Sequence, residues 1–107
     1  MTDRELLGLA AKACGFVDGH IYREKLNALL WRSESGFPAL WNPLNNNEDA
    51  FKLAVDLCMN LSLMAWRSEA QLTNHEVVVE PVVNKDPYAA TRRAIVRAAA
   101  EIGKGME

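Results

Sequence analysis

The sequence predicts an α+β fold: a single compact domain over residues 1-107, with elements in the order helix, hairpin, helix, hairpin, helix. An antiparallel sheet of about four strands would be covered by the helices. Three observations carry this expectation. Three helical segments open on capping residues, two stretches between them combine strand-forming residues with turn residues, and the links are short. Hairpins between helices favour antiparallel pairing, because a parallel doubly wound sheet needs single strands there.

The first helix is predicted over residues 3–14. Thr2 can accept the Glu5 backbone N–H while Glu5 reaches back, Leu6, Leu7, Ala10 and Ala13 recur at helical spacing, and Gly15 can stop the helix in left-handed geometry. Residues 16–27 remain open between strand, helical turn and loop. A hairpin comes next, with Leu29-Leu30-Trp31 extended, Glu34-Ser35-Gly36 turning, and 37–41 returning. Pro38 lacks a ladder donor and belongs at an edge or a strand's start.

Asn42 to Asn47 form a polar connection whose Asn side chains make turns and cap the second helix. With Asn46 as cap, Phe51, Ala54, Val55, Leu57 and Cys58 form a wide apolar stripe, and Asn60 is the expected stop. Residues 61–66 and 75–83 read as strands joined by a polar link over 68–74, with Pro81 at an edge or bulge. The last helix is capped by Asp86, carries Pro87 in its first turn and is expected to close at Gly103. At about 100° per residue, Tyr88, Thr91, Ile95, Ala98 and Ile102 share a stripe that faces the sheet. Arg93, Arg97, Glu101 and Lys104 lie opposite it.

The 107 residues carry 12 Lys+Arg against 14 Asp+Glu, a net charge of −2. A chain of this length buries roughly 60–65% of its unfolded surface, enough for one core and not for a large multidomain enzyme. Half the residues are hydrophobic and 24% are charged, too apolar for a disordered chain and too interrupted by charge for a bilayer span. The polar start, Met1-Thr2-Asp3-Arg4-Glu5, lacks an apolar signal region, so a cytoplasmic location is expected.

Chemistry-bearing residues are sparse. His20 and His75 each have a nearby carboxylate, Asp18 and Glu76, but structural zinc wants four ligands at set spacings. Cys14 and Cys58 fall near helix C-terminal ends, where the dipole disfavours thiolate, and read as buried free thiols. The six glycines form no phosphate-cradling motif. No catalytic residue, cofactor or metal is expected. Arg92, Arg93, Arg97 and Lys104 make the last helix locally basic, which a net acidic chain explains better as a solvated face than as a nucleic-acid surface. Trp31, Trp41 and Trp66 fall on or beside predicted strands and read first as sheet core. The sharper reading exposes one or two of them at a sheet edge with Tyr22 and Phe37, as an interface anchor.

Three stretches together resemble a known family: Met1-Thr2-Asp3-Arg4-Glu5-Leu6-Leu7 through Ala13, Trp41-Asn42-Pro43-Leu44 through Leu57, and Asp86-Pro87-Tyr88-Ala89-Ala90 through Ile102-Gly103. They look like the phage ABA sandwich domain family of small bacteriophage and prophage proteins, and Trp-Asn-Pro-Leu before an acidic helix start is the most specific part. Residues 16–37 and 61–80 lie outside the resemblance. It implies helices and sheet in one domain, and a phage gene expressed in a bacterium. It implies no reaction.

The expected function is therefore that of a small non-enzymatic phage or prophage accessory protein acting in the bacterial cytoplasm by binding a host or defence macromolecule. Its expected surface is the outer face of the last helix, Arg92, Arg93 and Arg97, with Trp66 and an edge strand from 61–66 or 75–83. Edge pairing could also supply a homodimer. The alternative is a protein that sequesters a nucleotide signal, with Trp and Arg stacking on base and pairing with phosphate. A DNA-binding regulator is the third reading, disfavoured by the net charge, and no membrane partner is expected.

Overall fold

The computed structural model describes residues 2–15, 21–23, 25, 28–32, 38–72 and 75–106. Asp18, Gly19, His20, the Glu34-Ser35-Gly36 turn and Phe37 lie outside them, as do the side chains of Tyr22 and Trp31.

Helix α1 (Asp3–Ala13) starts where the Glu5 N–H donates to Thr2 Oγ1 at 3.1 Å, and the Thr2 hydroxyl in turn reaches the Glu5 carboxylate at 3.1 Å. Gly15 comes after it with φ 88, the left-handed geometry that lets the chain leave the helix. Strands β1 (Ile21–Arg23), β2 (Ala28–Arg32) and β3 (Pro38–Trp41) pair antiparallel in that order. The expected hairpin thus gains a third strand from the stretch that the residues left open. Pro38 opens an edge strand, where its missing N–H disturbs no inner ladder. Leu29 and Trp41 stand opposite each other in register, and both are buried.

Side chains close the Trp41-Asn42-Pro43-Leu44 turn. Asn42 Oδ1 accepts the Leu44 N–H at 2.9 Å, and the Asn42 N–H donates to the Asp49 carboxylate at 3.0 Å. Asn46 Oδ1 accepts the Asp49 N–H at 2.9 Å, so α2 (Asn47–Asp56) begins at its predicted cap. Its end differs from expectation. The helix stops at Asp56, Cys58 takes φ 53, and Asn60 already belongs to the next strand.

Strands β4 (Asn60–Leu63), β5 (Arg67–Gln71) and β6 (Val78–Pro81) form a second antiparallel sheet in that order. The predicted polar link is itself the central strand. Its sequence hides the alternation, because the two residues that face inward, Ser68 and Ala70, are small. One sheet of about four strands is therefore corrected to two sheets of three. The described residues form one α+β domain of three helices and two small antiparallel sheets.

Helix α3 (Pro87–Lys104) is capped by Asp86, whose Oδ1 accepts the Ala89 N–H at 3.0 Å, with Pro87 at the first turn. It packs along α1, touches α2, and carries β5 and β6 on another side. Leu7, Leu53 and Val96 are fully buried where the three helices meet, each contributing roughly 1.5–3 kcal/mol. A second cluster, Ala70, Leu72, Ala94 and Ala98, joins α3 to β5. Gly103 does not close the helix as predicted, which runs on to Lys104. A Cβ at Gly103 would collide with the Leu9 carbonyl, so its use is close packing of α3 on α1.

Candidate protein-docking surface

The arginines of α3 divide into two clusters. Arg92 points toward the start of α2, where Nε donates to Leu44 O at 2.8 Å and Nη1 to Asn47 Oδ1 at 2.7 Å. It fastens the Trp-Asn-Pro-Leu turn to α3. Arg93 and Arg97 share Glu80 of β6, whose Oε1 lies 3.3 Å from Arg93 Nε and 3.0 Å from Arg97 Nη1. Arg93 also reaches Asp3 at 3.2 Å, and Arg97 Nη1 donates to Val79 O at 3.2 Å. The face expected to point outward is thus flanked by α1 and β6. The three guanidinium groups hold elements together, with the shared carboxylate only 14% exposed.

The tryptophans divide, but not in the expected arrangement: Tyr22 belongs to β1 of the first sheet, whereas Trp66 follows β4 of the second. Trp41 is core, whereas Trp66 is 67% exposed in the turn from β4 to β5. Backbone hydrogen bonds fix that turn from both sides. The Met64 N–H donates to Arg67 O and the Val82 N–H to Trp66 O, both at 2.9 Å. Val83, next to this clasp, is exposed as well. A large ring held in water on an ordered backbone forgoes the burial that favours aromatic residues, and it is the type of side chain that dominates binding hot spots.

A groove of about 450 Å³ opens nearby, between α2, the start of α3 and β4. Its walls include Phe51, Leu61, Leu63, Met64 and Tyr88. Here the predicted apolar stripe of α2 is corrected: Ala50, Leu53 and Ala54 are buried, but Phe51 is 68% exposed and Val55 is exposed too. Tyr88, expected to face the sheet, is likewise exposed. At the base of the groove, the Thr91 hydroxyl donates to Pro87 O at 2.8 Å, so the buried Ser68 hydroxyl is the donor in its 2.8 Å contact with Thr91 Oγ1. These polar atoms satisfy one another, and the lining that remains suits apolar side chains.

The groove was not legible as a site, since α2, β4 and α3 meet only in three dimensions. The one available signal was an α2 stripe wider than a helix needs for its core contact.

The two thiols sit in different surroundings. Burial pushes the Cys14 thiol up to about 12, and the Asp56 carboxylate pushes in the same direction. Cys58, expected to be buried, is exposed because the chain has already left α2 at that point. His75 and Glu76 are exposed on the approach to β6. Among the described residues no three His, Cys, Asp or Glu side chains gather where a metal ion could be held, and no helix is long and apolar enough to cross a membrane.

Comparison with protein-family models, with curated proteins and with solved structures finds no match to the chain.

Proposed function

We propose that the protein is a non-enzymatic binding protein whose partner is a bacterial host or defence protein, engaged through the end of the second sheet where Trp66 and Val83 stand exposed. The observation that carries this reading is Trp66, two-thirds exposed on a turn closed by the Met64–Arg67 backbone hydrogen bond and tied to Val82 just beyond β6. Preorganisation of this kind lowers the ordering cost of association, and a Trp seated in a partner's pocket contributes about 2 kcal/mol or more. The phage origin and the bacterial target rest on the resemblance of the three stretches to the ABA sandwich family.

Arg92, Arg93 and Arg97 support the surface indirectly, by fixing α3 against Leu44, Asp3 and Glu80. The experiment is capture from bacterial lysate by the tagged chain, eluted gently and read by native mass spectrometry, beside a Trp66→Ala variant with intact circular dichroism. The expected result is a stoichiometric bacterial protein held by the wild type and lost from Trp66→Ala. Equal capture by both chains, or a retained nucleotide with no protein, overturns the reading.

A further inference from the structure

We infer that the uncovered edge of β4 is a homodimer interface, at which two copies of this chain join their second sheets into one antiparallel sheet about a two-fold axis through Ser62. The inference stands on the β4 edge and does not depend on Trp66.

The two edges of this sheet differ. At β6, Pro81 ends the strand, and Arg97 takes the carbonyl of Val79. That edge is blunted by the means natural sheets use. At β4 all four residues, Asn60, Leu61, Ser62 and Leu63, are exposed and uncharged, with no proline and an unbroken register against β5. The bond from the Met64 N–H to Arg67 O sets the phase of that ladder. Antiparallel pairs alternate between hydrogen-bonded and non-hydrogen-bonded, so Ser62 faces β5 with its backbone groups while those of Leu61 and Leu63 point outward. No turn, loop or side-chain hydrogen bond among the described residues reaches them.

Of the two-fold registers open to outward groups at Leu61 and Leu63, one pairs the groups of both residues at once. Leu61 of one copy pairs with Leu63 of the other, twice over, and Ser62 meets its own counterpart in the non-hydrogen-bonded position. This is the isologous arrangement a two-fold dimer requires. Leu61 and Leu63 stand opposite Ala70 and Ser68, which face α3, so the four leucines of a dimer gather on the helix-covered side of the joined sheet. Phe51 and Tyr88 border them in the groove, exposed, and Val55, also exposed, follows Phe51 by one helical turn on α2.

The area agrees. Those five side chains leave roughly 300–500 Å² of apolar surface in water. A standard interface buries about 800 Å² per partner, slightly more than half of it apolar. A small ligand would need far less. In such a dimer the two Trp66 turns lie at opposite ends of the joined sheet, giving two anchors per particle.

The test uses the full chain with Cys58→Ser, carrying Ser62→Cys or, separately, Asn60→Cys. A non-hydrogen-bonded antiparallel pair brings Cα atoms to about 4.5 Å, within disulfide reach. Ser62→Cys should therefore oxidise to a covalent dimer and Asn60→Cys should not. Native mass spectrometry of the wild type should show a dimer that Leu63→Lys converts to monomer with unchanged circular dichroism. A wild type that is monomeric throughout a concentration series overturns the inference. So does a dimer in which Ser62→Cys links no faster than Asn60→Cys. Either failure leaves the Trp66 capture experiment unaffected, and loss of capture leaves the dimer unaffected.

Discussion

Gly103 lies so close to the Leu9 carbonyl that α3 and α1 can cross there only because residue 103 has no side chain. Gly103→Ala gains up to about 1 kcal/mol of helix propensity but forces a methyl group into backbone that cannot rotate away. Overpacking wins, and urea unfolding should show a net loss of about 2 kcal/mol. Gly105 is the control. A Cβ there meets Ile102 O at an ordinary 3.6 Å, with φ −82, so Gly105→Ala should leave stability within about 0.5 kcal/mol of wild type. Equal stability of the two variants would show that the helices have room to move apart.

Glu80 is the junction of α3 and β6, and through Arg93 it connects to Asp3 at the start of α1. The arginine side chains are about two-fifths exposed, so each ion pair is partly screened and is worth at most about 1 kcal/mol. Glu80→Gln keeps the shape and one acceptor while removing the charge. It should cost about 1 kcal/mol at low salt and less at high salt. Charge reversal at Arg93 or Arg97 should destabilise more, by placing like charges beside Glu80. Salt-independent unfolding of all these variants would mean that the network contributes no electrostatic stability.

Cys14 gives a pH dependence with a definite sign. Its folded pKa lies near 12 against an ordinary 9.0, so the folded chain keeps the thiol proton that the unfolded chain releases. The associated stability is complete below pH 9.0 and falls as pH rises from there toward 12. Cys14→Ala should flatten the stability profile over that window. At neutral pH a thiol reagent should modify the exposed Cys58 quickly and the half-buried Cys14, whose thiol keeps its proton, much more slowly. Comparable labelling rates for both in the native protein would contradict the partial burial of Cys14.

What the sequence disclosed was what local chemistry encodes. Thr2, Asn46 and Asp86 each cap a helix through a side chain three residues from its donor, so those starts are legible from short windows. β5 was hidden because α3 lies close to it, and close approach selects Ser68 and Ala70, which carry no hydrophobic signal. Gly103 has the composition of a stop but serves a contact with a residue far away in the chain. Phe51 and Val55 have core chemistry at helical spacing, yet α2 meets its neighbours along Ala50, Leu53 and Ala54. Arg92, Arg93 and Arg97 were visible as a basic run, while their acceptors, Leu44 O, Asp3, Val79 O and Glu80, come from three other parts of the chain.

The most direct measurement is photo-crosslinking in bacterial lysate, with benzoylphenylalanine placed at Val83, beside an unaltered Trp66, or at the exposed Lys104 as a reference. The expected result is one bacterial protein crosslinked from position 83 and absent from position 104, with the crosslink abolished by Trp66→Ala. Identical products from both positions, or a position-83 crosslink that survives Trp66→Ala, would contradict a docking surface centred on Trp66.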